Sequence, residues 1–589
     1  MADQYLYEVS NMTETINEPF VKKEVVYVND SQNGSYNGQI VYDLSQIANS
    51  GKWASWAEGF ISIPFVIGAQ LGNSGNTTIN ASTTVNNFMM GLKDGHTSLI
   101  HSLQVDYNNT NVVQLSSYIN QYVHYKIMTT WSENDLKKWG PTMGVSPDDG
   151  MTFDYNAAAT DQLDGTGFSN NRVAGSEGVG DMDNGNVSNI QNRANRGFWN
   201  RLNNTLDFIS STPNYNNCIN SANAIQAGMS YCGSLTTQGQ TNPNSVSFNI
   251  LATIPLKFIA DFFDKIPLTK SSFLKITLNY NASNNTFSYT NVGGSYKTLQ
   301  WSSAVTSGGT NPILVASANP NTTSSTSGVY AQPNATLWKD SEIPNSGDSL
   351  ITQINAGIGS ITLPNNVVCK NPILNGTTRI TLPLYTMNPT YEESYISLHP
   401  QKEVHYTDVY QYNITNIPPN TQFSQLITNG IANPVEIVVI PYINYKQTPS
   451  TAIDGLSVPP YQSPVDPAGS TTTPFASITN WNILVSGSPI FPQNYMYDYD
   501  QFIQETSRTG AINGGESVGL TSGLISQTDF MSSYRFYTVN LARRLPLDDV
   551  AKSIQVQGYN NTGMAMDYMC FVSFQRKLTI DTRTGAVVP

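Results

Sequence analysis

Residues 423–445, FSQLITNGIANPVEIVVIPYINY, decide the fold of this chain. The Asn-Gly dipeptide at 429–430 and the Asn-Pro dipeptide at 433–434 are turn signals. The run VEIVVI at 435–440 is rich in β-branched residues and is closed by Pro441, which cannot donate a ladder hydrogen bond. The stretch therefore predicts a turn followed by a buried strand.

The same order of features occurs a second time, at residues 44–67 (LSQIANSGKWASWAEGFISIPFVI). Other short matches precede and follow it, in the same order in both halves of the chain. The matched pairs are EVVY at 24–27 with EVHY at 403–406, LSQI at 44–47 with FSQL at 423–426, IPFV at 63–66 with IPYI at 440–443, LQV at 103–105 with ILV at 483–485, and YINQ at 118–121 with FIQE at 502–505. Their offsets are 379, 379, 377, 380 and 384 residues. Five ordered matches at nearly one offset predict two copies of one domain.

The first copy is expected to contain a long insertion. Thr253 in ATIPLKF aligns with Thr538 in FYTVNLA at an offset of 285 residues, against 384 before this stretch, so the first copy has about 99 extra residues. We place the insertion at residues 141–245, which are rich in Gly, Asn and Asp. Such a segment predicts a surface excursion, with one helix near 189–209.

Strand-like runs and turn signals alternate in both copies, which predicts short, mostly antiparallel strands. Residues 96–113 are predicted as strand, and in each copy one segment at helical spacing follows a strand, near Tyr118 and after Asp498. Loops are expected at residues 68–87 and 446–479, directly after the matched IPF and IPY strands.

About eight strands per copy predict a mainly β chain of two tandem eight-stranded antiparallel jelly-roll sandwiches, with short helices and long loops. The expected domains are a first jelly roll at residues 1–292, a connecting segment at 293–377 and a second jelly roll at 378–589, which opens with RITLPL at 379–384.

Charge and composition restrict the class of function. Only 12% of the 589 residues are charged, the net charge is −13, and the pI is about 4.8. Nucleic-acid affinity depends mainly on Lys and Arg that neutralise phosphates, so direct nucleic-acid binding is not expected. A charge-poor surface rich in Asn, Ser, Thr, Gln and Tyr suits a protein that packs against copies of itself.

Targeting and metal-binding signals are weak throughout the sequence. The start, MADQYLYEVSNMTET, has no basic and apolar segments typical of a signal peptide, and no apolar run approaches the length of a membrane span. The cysteines at 218, 232, 369 and 570 form no CxxC motif, so a zinc site is not expected. Cys218 and Cys232 either pair or remain free thiols.

Two tandem jelly rolls, each with a helix after a mid-domain strand and a large loop after the IPF or IPY strand, resemble a double jelly-roll major capsid protein. The segments that carry the resemblance are GFISIPF at 59–65, VVIPY at 438–442, FFDKIPL at 262–268 and YRFYTVNL at 534–541. The chain is most similar to the capsid proteins of virophages and Polinton-like viruses, and the resemblance covers nearly the whole chain as an architecture.

The resemblance implies a structural role and no enzymatic activity or cofactor. It implies a homotrimer that forms a pseudo-hexagonal capsomer, tiles an icosahedral shell, and contacts neighbouring capsomers and penton and minor capsid proteins. It also implies assembly inside the host cell, without secretion, and location in the virion. Loops 68–87, 141–245 and 446–479 would then lie outside and at trimer contacts. Contact with a membrane stays open.

Motifs for chemistry are not convincing, and no catalytic, cofactor-binding or metal-binding residue is proposed. The histidines at 96, 101, 124, 399 and 405 form no HExxH motif, and neither GxSxG nor a phosphate-binding loop occurs. Acidic pairs at 148–149, 392–393 and 548–549 are compatible with a glycosidase pair but are more typical of solvated loops. The DMDNG segment at 181–185 has its Gly one position early for a calcium loop.

The main alternative is a carbohydrate-binding β-sandwich of the adhesin or lectin type. Exposed aromatic residues, namely Trp53, Trp56, Trp301 and Trp338, would stack on sugars in that case, whereas the ordinary role of such residues is core or interface packing.

Overall fold

The computed structural model of the chain describes residues 18–73, 88–114, 116–147, 230–231, 245–292, 296–317, 349–444, 460–462, 476–510, 521–532, 534–542 and 550–588. Within these ranges no helix is both long enough and apolar enough to cross a membrane.

Short antiparallel strands make up most of the described chain. Those of the first part are β1 (Phe20–Asn29), β2 (Gln39–Asp43), β3 (Trp53–Ala54), β4 (Phe60–Asn73), β5 (Phe88–Leu92), β6 (Ile100–Tyr107), β7 (Thr110–Val113), β8 (Ser230–Tyr231), β9 (Ser245–Pro255), β10 (Thr269–Lys270), β11 (Leu274–Tyr280), β12 (Ala282–Val292), β13 (Tyr296–Ser307), β14 (Ile313–Ser317), β15 (Ser349–Ile358), β16 (Ser360–Leu363), β17 (Val367–Lys370) and β18 (Arg379–Met387). Those of the second part are β19 (Gln401–Ile417), β20 (Thr421–Ile431), β21 (Pro434–Ile443), β22 (Ile478–Val485), β23 (Ser488–Pro489), β24 (Tyr537–Asn540), β25 (Lys552–Asn560), β26 (Met566–Asp581) and β27 (Val587–Val588).

The helices are short and lie between strands. They are α1 (Ser45–Ala48), α2 (Ile119–Thr130), α3 (Glu133–Met143), α4 (Leu256–Ile259), α5 (Asp261–Lys265), α6 (Pro389–Leu398), α7 (Tyr499–Gly510) and α8 (Gln527–Ser532). Single 3₁₀ turns occur at His96–Leu99, Pro364–Asn366, Ile373–Gly376 and Pro460–Gln462.

The second part of the chain is a jelly roll. One sheet has the order β19-β26-β21-β24 and the other has the order β20-β25-β22-β23. If the eight strands are lettered B to I along the chain, these orders are B-I-D-G and C-H-E-F, in which each sheet takes strands from both ends of the segment. Such interleaving is the Greek-key wrapping of a jelly roll.

The first part has the same topology. Its C-H-E-F sheet is β2-β11-β6-β7, and its B-I-D-G sheet contains β1, β18, β4 and β9 as neighbours. Strands β15, β12 and β13 extend this second sheet, because β15 pairs with the end of β4 beyond β18. The prediction of two tandem eight-stranded antiparallel jelly rolls is confirmed.

Strand β18 corrects the predicted start of the second jelly roll. It pairs with β1, with Val26 opposite Leu382, and with β4, so it is the last strand of the first sandwich. The prediction assigned residues from 378 onward to the second jelly roll and 293–377 to a connection, but β13 to β17 lie in or against the first sandwich. A strand's sequence indicates that it is a strand, not which distant strand it pairs with.

Two local predictions also change, and a third falls mostly outside the described residues. Strand β4 continues to Asn73 and pairs with β9 as far as Gln70, so the predicted loop at 68–87 starts later, and residues 74–87 lie outside the described ranges. The predicted strand at 96–113 is a 3₁₀ turn followed by the β6–β7 hairpin. Most of the insertion at 141–245 lies outside the described residues, and its described start belongs to α3.

The matched repeats lie at equivalent places, but one of them is out of register by one residue. Pro441 lies opposite Tyr568, whose ring stacks on Phe423 of the facing sheet, so Pro441 points into its sandwich. Pro64 is on the same face of β4 as Val66, which packs outward against the β16–β17 hairpin. Because side chains alternate along a strand, a shift of one residue moves every side chain to the other face. Residues of β4 and β21 that point the same way are therefore separated by an even number of positions, whereas the offset between the two matched motifs is 377.

The pairing of β18 with β1 yields a direct prediction. Tyr27 and Thr381 are directly opposite each other, so their Cβ atoms are about 5 Å apart. The double variant Tyr27→Cys with Thr381→Cys is expected to form a disulfide that non-reducing peptide mass spectrometry detects. In the control Lys23→Cys with Thr381→Cys, the positions are offset by roughly 13 Å along the strands and no disulfide is expected. Equal cross-linking in both variants would contradict the assignment of β18 to the first sandwich.

Candidate functional site: the junction between the sandwiches

Helix α2 lies between the two sandwiches and is buried except along the side that carries Lys126 and Thr130. This burial is unusual for a helix that follows the last strand of the first C-H-E-F sheet. The equivalent helix of the second sandwich, α7, buries Phe502 and Glu505 but leaves Asp500 and Gln504 exposed. The difference arises because α2 packs against the outer face of the second B-I-D-G sheet, where Tyr122 contacts Phe571 with ring centroids 5.7 Å apart.

A buried carboxylate lies at the centre of this contact. Glu436 of β21 is only 1% exposed. It accepts hydrogen bonds from the hydroxyls of Tyr122, at 3.0 Å, and Tyr125, at 3.4 Å, and forms an ion pair with Lys126. All three donors are on α2, one turn apart. Burial, and secondly the Glu436 charge, raise the pKa of both tyrosines well above the ordinary value, so they remain hydrogen-bond donors.

A second polar cluster joins β7 of the first sandwich to β19 and β26 of the second. The Arg576 guanidinium donates to the carbonyl oxygens of Asn111, at 2.8 Å, and Val112, at 3.0 Å, and to Asp408, at 3.0 Å. Asp408 also accepts from the backbone N–H of Gln114 at 3.1 Å. Burial raises the pKa of Asp408, and these donors act in the opposite direction. Arg576 therefore satisfies the end of β7, which has no further strand beside it in its sheet.

The ends of the chain add further contacts across the junction. Asn108 donates to the carbonyl oxygen of Gly585 at 2.6 Å. Lys402 donates to the carbonyl oxygen of Leu268 at 2.9 Å, over the rings of Trp53 and Tyr395. Burial lowers the pKa of Lys402 to about 8. The large hydrophobic cluster consequently continues from one sandwich into the other.

The junction is asymmetric, so each sandwich has a half that the chain does not use. The first sandwich contributes its F-strand side and α2, and the second contributes the outer face of its B-I-D-G sheet. On the first sandwich the β16–β17 hairpin covers Val66 of β4 on the corresponding outer face. Beside this hairpin and on it, the first sandwich exposes Val21, Val25, Tyr27, Leu251 and Val368, which are five of the eleven exposed large hydrophobic side chains of the described residues. We call this set the receiving face. On the second sandwich, the region of α7 and α8 exposes Met496 and Met531, and we call it the donor region.

The tryptophans proposed for sugar stacking do not form an exposed surface within the described residues. Trp53 and Trp56 are buried, and the Trp56 indole N–H donates to the Thr269 hydroxyl at 2.8 Å. Trp301 is in β13 and its side chain is not described, and Trp338 lies outside the described residues.

The histidines take different structural places. His96 is partly buried and accepts from the backbone N–H of Thr253 at 3.1 Å, and desolvation lowers its pKa to about 4. His101 accepts from the backbone N–H of Gly309 at 3.1 Å, and His124 lies 2.8 Å from Asp94. His399 packs near the Tyr395 ring, and His405 is largely exposed, 3.7 Å from Glu403. Over the described ranges, no three His, Cys, Asp or Glu side chains are grouped to hold a metal ion.

The other candidate residues are also separated. Glu392 accepts from the indole of Trp53 at 3.2 Å and pairs with Lys270, while its neighbour Glu393 pairs with Arg583 at 3.2 Å. Cys369 and Cys570 are both buried. The pairs at 148–149 and 548–549, the segment at 181–185, Cys218 and Cys232 lie outside the described residues.

Solved structures with a similar fold include a virophage and viral capsid proteins. The Sputnik virophage structure aligns at 11% identity over 98% of this chain and 89% of that chain, with a TM-score of 0.46. The Faustovirus major capsid protein aligns at 8% identity over 96% and 91%, with a TM-score of 0.39. The PBCV-1 virus capsid aligns at 8% identity over 98% of both chains, with a TM-score of 0.37. At this distance the similarity does not establish a family.

No protein-family model matches the sequence, and no curated protein matches it.

Sequence reasoning missed Glu436 and its partners on α2. The signal was present, because one carboxylate interrupts the apolar run VEIVVI of a strand predicted to be buried. A buried carboxylate requires donors. Its donors are more than 300 positions away in the chain, and no local pattern relates them.

Removal of the buried carboxylate is expected to weaken the junction. Glu436→Ala leaves two hydroxyls and the Lys126 ammonium without their acceptor, and should lower the free energy of unfolding by about 3 kcal/mol. The matched control is Glu403→Ala in the same sheet, an exposed carboxylate that pairs with Lys577 at 2.8 Å. Its expected effect is below about 1 kcal/mol. Urea denaturation followed by tryptophan fluorescence compares the two, and equal midpoints would contradict the role assigned to Glu436.

Proposed function

We propose that this chain is a major capsid protein, a structural shell component without catalytic activity, whose three copies form a closed ring of six sandwiches. The observation that carries the proposal is the asymmetric junction, which leaves an unused receiving face on the first sandwich and an unused donor region on the second. Apart from the part of β4 that the β16–β17 hairpin covers, these two regions correspond to the two halves joined inside the chain.

A contact between unlike surfaces is heterologous, and it gives a ring when its rotation closes. If the donor region of one copy packs on the receiving face of the next, as α2 packs on the second sandwich, the contact within a chain and the contact between chains become nearly equivalent. Three chains with two sandwiches each then make a pseudo-hexagonal particle. Such particles tile an icosahedral shell, with penton and minor capsid proteins as expected partners.

Surface composition supports the same role. Apolar side chains of the receiving face are isolated between polar ones, as in interfaces that form after folding. The net charge of −13 favours a shell that contacts other proteins over one that binds the genome. The predicted outer loops begin near Asn73 in the first sandwich and near Asn444 in the second, in each case where the D strand ends. This supports a position of both loops at the same end of their sandwiches.

The first test is the mass and shape of the purified chain. Light scattering should give close to three times 64.5 kDa, and negative-stain electron microscopy should show hexagonal outlines or closed shells. A monodisperse monomer that never assembles would remove the proposed function and leave the double sandwich intact.

A charge on the receiving face should prevent ring formation. Val25 is 66% exposed in the single chain, so Val25→Asp leaves folding intact, but a carboxylate buried without a partner opposes association. We expect a folded monomer by light scattering. The matched control is Val550→Asp, at a valine that is 62% exposed between β24 and β25 and belongs to neither the receiving face nor the donor region, and it should remain trimeric. A trimeric Val25→Asp variant would exclude this face as the interface.

Mixing two variants tests whether the contact is heterologous. Met496→Asp in the donor region should also give a monomer, because it removes the other half of the same contact. A mixture of Val25→Asp and Met496→Asp retains one intact half on each chain, so the pair should form a heterodimer and stop there. Native mass spectrometry of the mixture measures this species. Homodimers of either variant alone would indicate an isologous contact instead.

A further inference from the structure

A cleft of about 310 Å³ lies between the two sandwiches, beside α2. Its walls are the exposed side of α2, helix α4 and the edge of β19, and its inner surface is apolar, with Val123, Ile127, Phe258 and Val409 among its lining residues. Clefts of this size accept one small ligand. Neither the packing of α2 nor the proposed assembly uses this space.

The oxygen-bearing side chains of the wall are already hydrogen-bonded within the chain. Asp261 accepts from the backbone N–H of Thr407 at 2.8 Å and from its hydroxyl at 2.7 Å. Gln114 donates to the carbonyl oxygen of Val409 at 2.9 Å. Asp408 is held by Arg576, and Thr130 donates to the carbonyl oxygen of Lys126 at 2.6 Å. The interior therefore has no polar side chain that demands a partner.

Two cations stand at the rim. Lys126 pairs with Glu436, but Lys257 has no carboxylate within ion-pair distance among the described residues. Its ammonium lies 4.4 Å from the centroid of the Trp139 ring, and the Lys138 ammonium lies 4.9 Å from the same centroid. Positive charge is scarce on a chain whose net charge is −13, and the ammonium of Lys257 favours an anion at this rim.

We propose that this cleft binds the acyl chain of a medium-chain fatty acid, with its carboxylate at Lys257. An acyl chain needs only apolar contacts, which the interior provides, and its single charge lies where the unpaired ammonium is. A peptide fits less well, because its backbone groups require partners and the edge of β19 at Thr407 and Val409 is already capped by Asp261 and Gln114. The proposal is independent of trimer formation.

The test measures laurate binding to the full chain by isothermal titration calorimetry. One laurate per chain is expected, with dodecanol bound roughly tenfold more weakly because it lacks the charge, and with no binding of inorganic phosphate. Lys257→Gln should weaken laurate binding by about tenfold. The matched control Lys22→Gln, at an exposed lysine on β1, should leave the affinity unchanged.

Two variants that fill the cleft keep the proposal falsifiable. Ala260→Leu and Val409→Leu place extra methyl groups in the part of the cleft that would hold the acyl chain. Both variants should abolish laurate binding. Their melting temperature and their oligomeric mass in solution should stay close to those of the parent chain. Unchanged laurate binding in both folded variants would overturn the site. So would phosphate binding as tight as laurate binding, or displacement of laurate by an acidic hexapeptide of glutamate and leucine.

Discussion

The relative position of the two sandwiches depends on the burial of one carboxylate beneath one helix. Glu436 is almost fully removed from water, and a carboxylate in that position is costly unless it is paired. Tyr122, Tyr125 and Lys126 supply the pairing from one face of α2, at positions i, i+3 and i+4. Apolar packing alone tolerates sliding, whereas these donors meet one acceptor only in one register. The carboxylate thereby selects a single arrangement from the many that apolar contact would allow.

Much of the fold was predictable, because period-two alternation and the internal repeat are local signals that survive in sequence. The strands that contain the IPF and IPY motifs and the helices near Tyr118 and Asp498 were found at equivalent places in the two sandwiches. Strand β18 was assigned to the wrong sandwich because RITLPL looks the same whichever sheet it joins. Pairing between β18 and β1 spans more than 350 residues, and only tertiary structure determines it.

The junction was less predictable than the fold. The charged residue within VEIVVI was a readable sign of a special environment, but its partners were not, because α2 is as compatible with a surface as with an interior position in sequence. The comparison of the two helices gives the physical reason. In α7 the buried Glu505 accepts from the backbone N–H of Asn540 at 3.1 Å within its own sandwich, whereas α2 directs its polar groups to the other sandwich. The helix after the F strand thus makes its polar contacts within its own sandwich in the second copy and bridges the two sandwiches in the first.

Duplication has a thermodynamic consequence for the proposed ring. A ring of six separate sandwiches has six contacts, and its assembly requires five associations, each with its loss of translational and rotational freedom. When two sandwiches share a chain, the contact through α2 forms at the high effective concentration of an intramolecular event. Only three contacts then depend on protein concentration. The two classes of contact can also differ. The contact inside the chain buries the Glu436 carboxylate permanently. The proposed contact between chains would use isolated apolar side chains, on a surface that must stay soluble until it assembles. The proposed contact between chains therefore uses exposed valines of β1, which water tolerates before assembly, whereas the contact within the chain uses the buried Glu436 of β21.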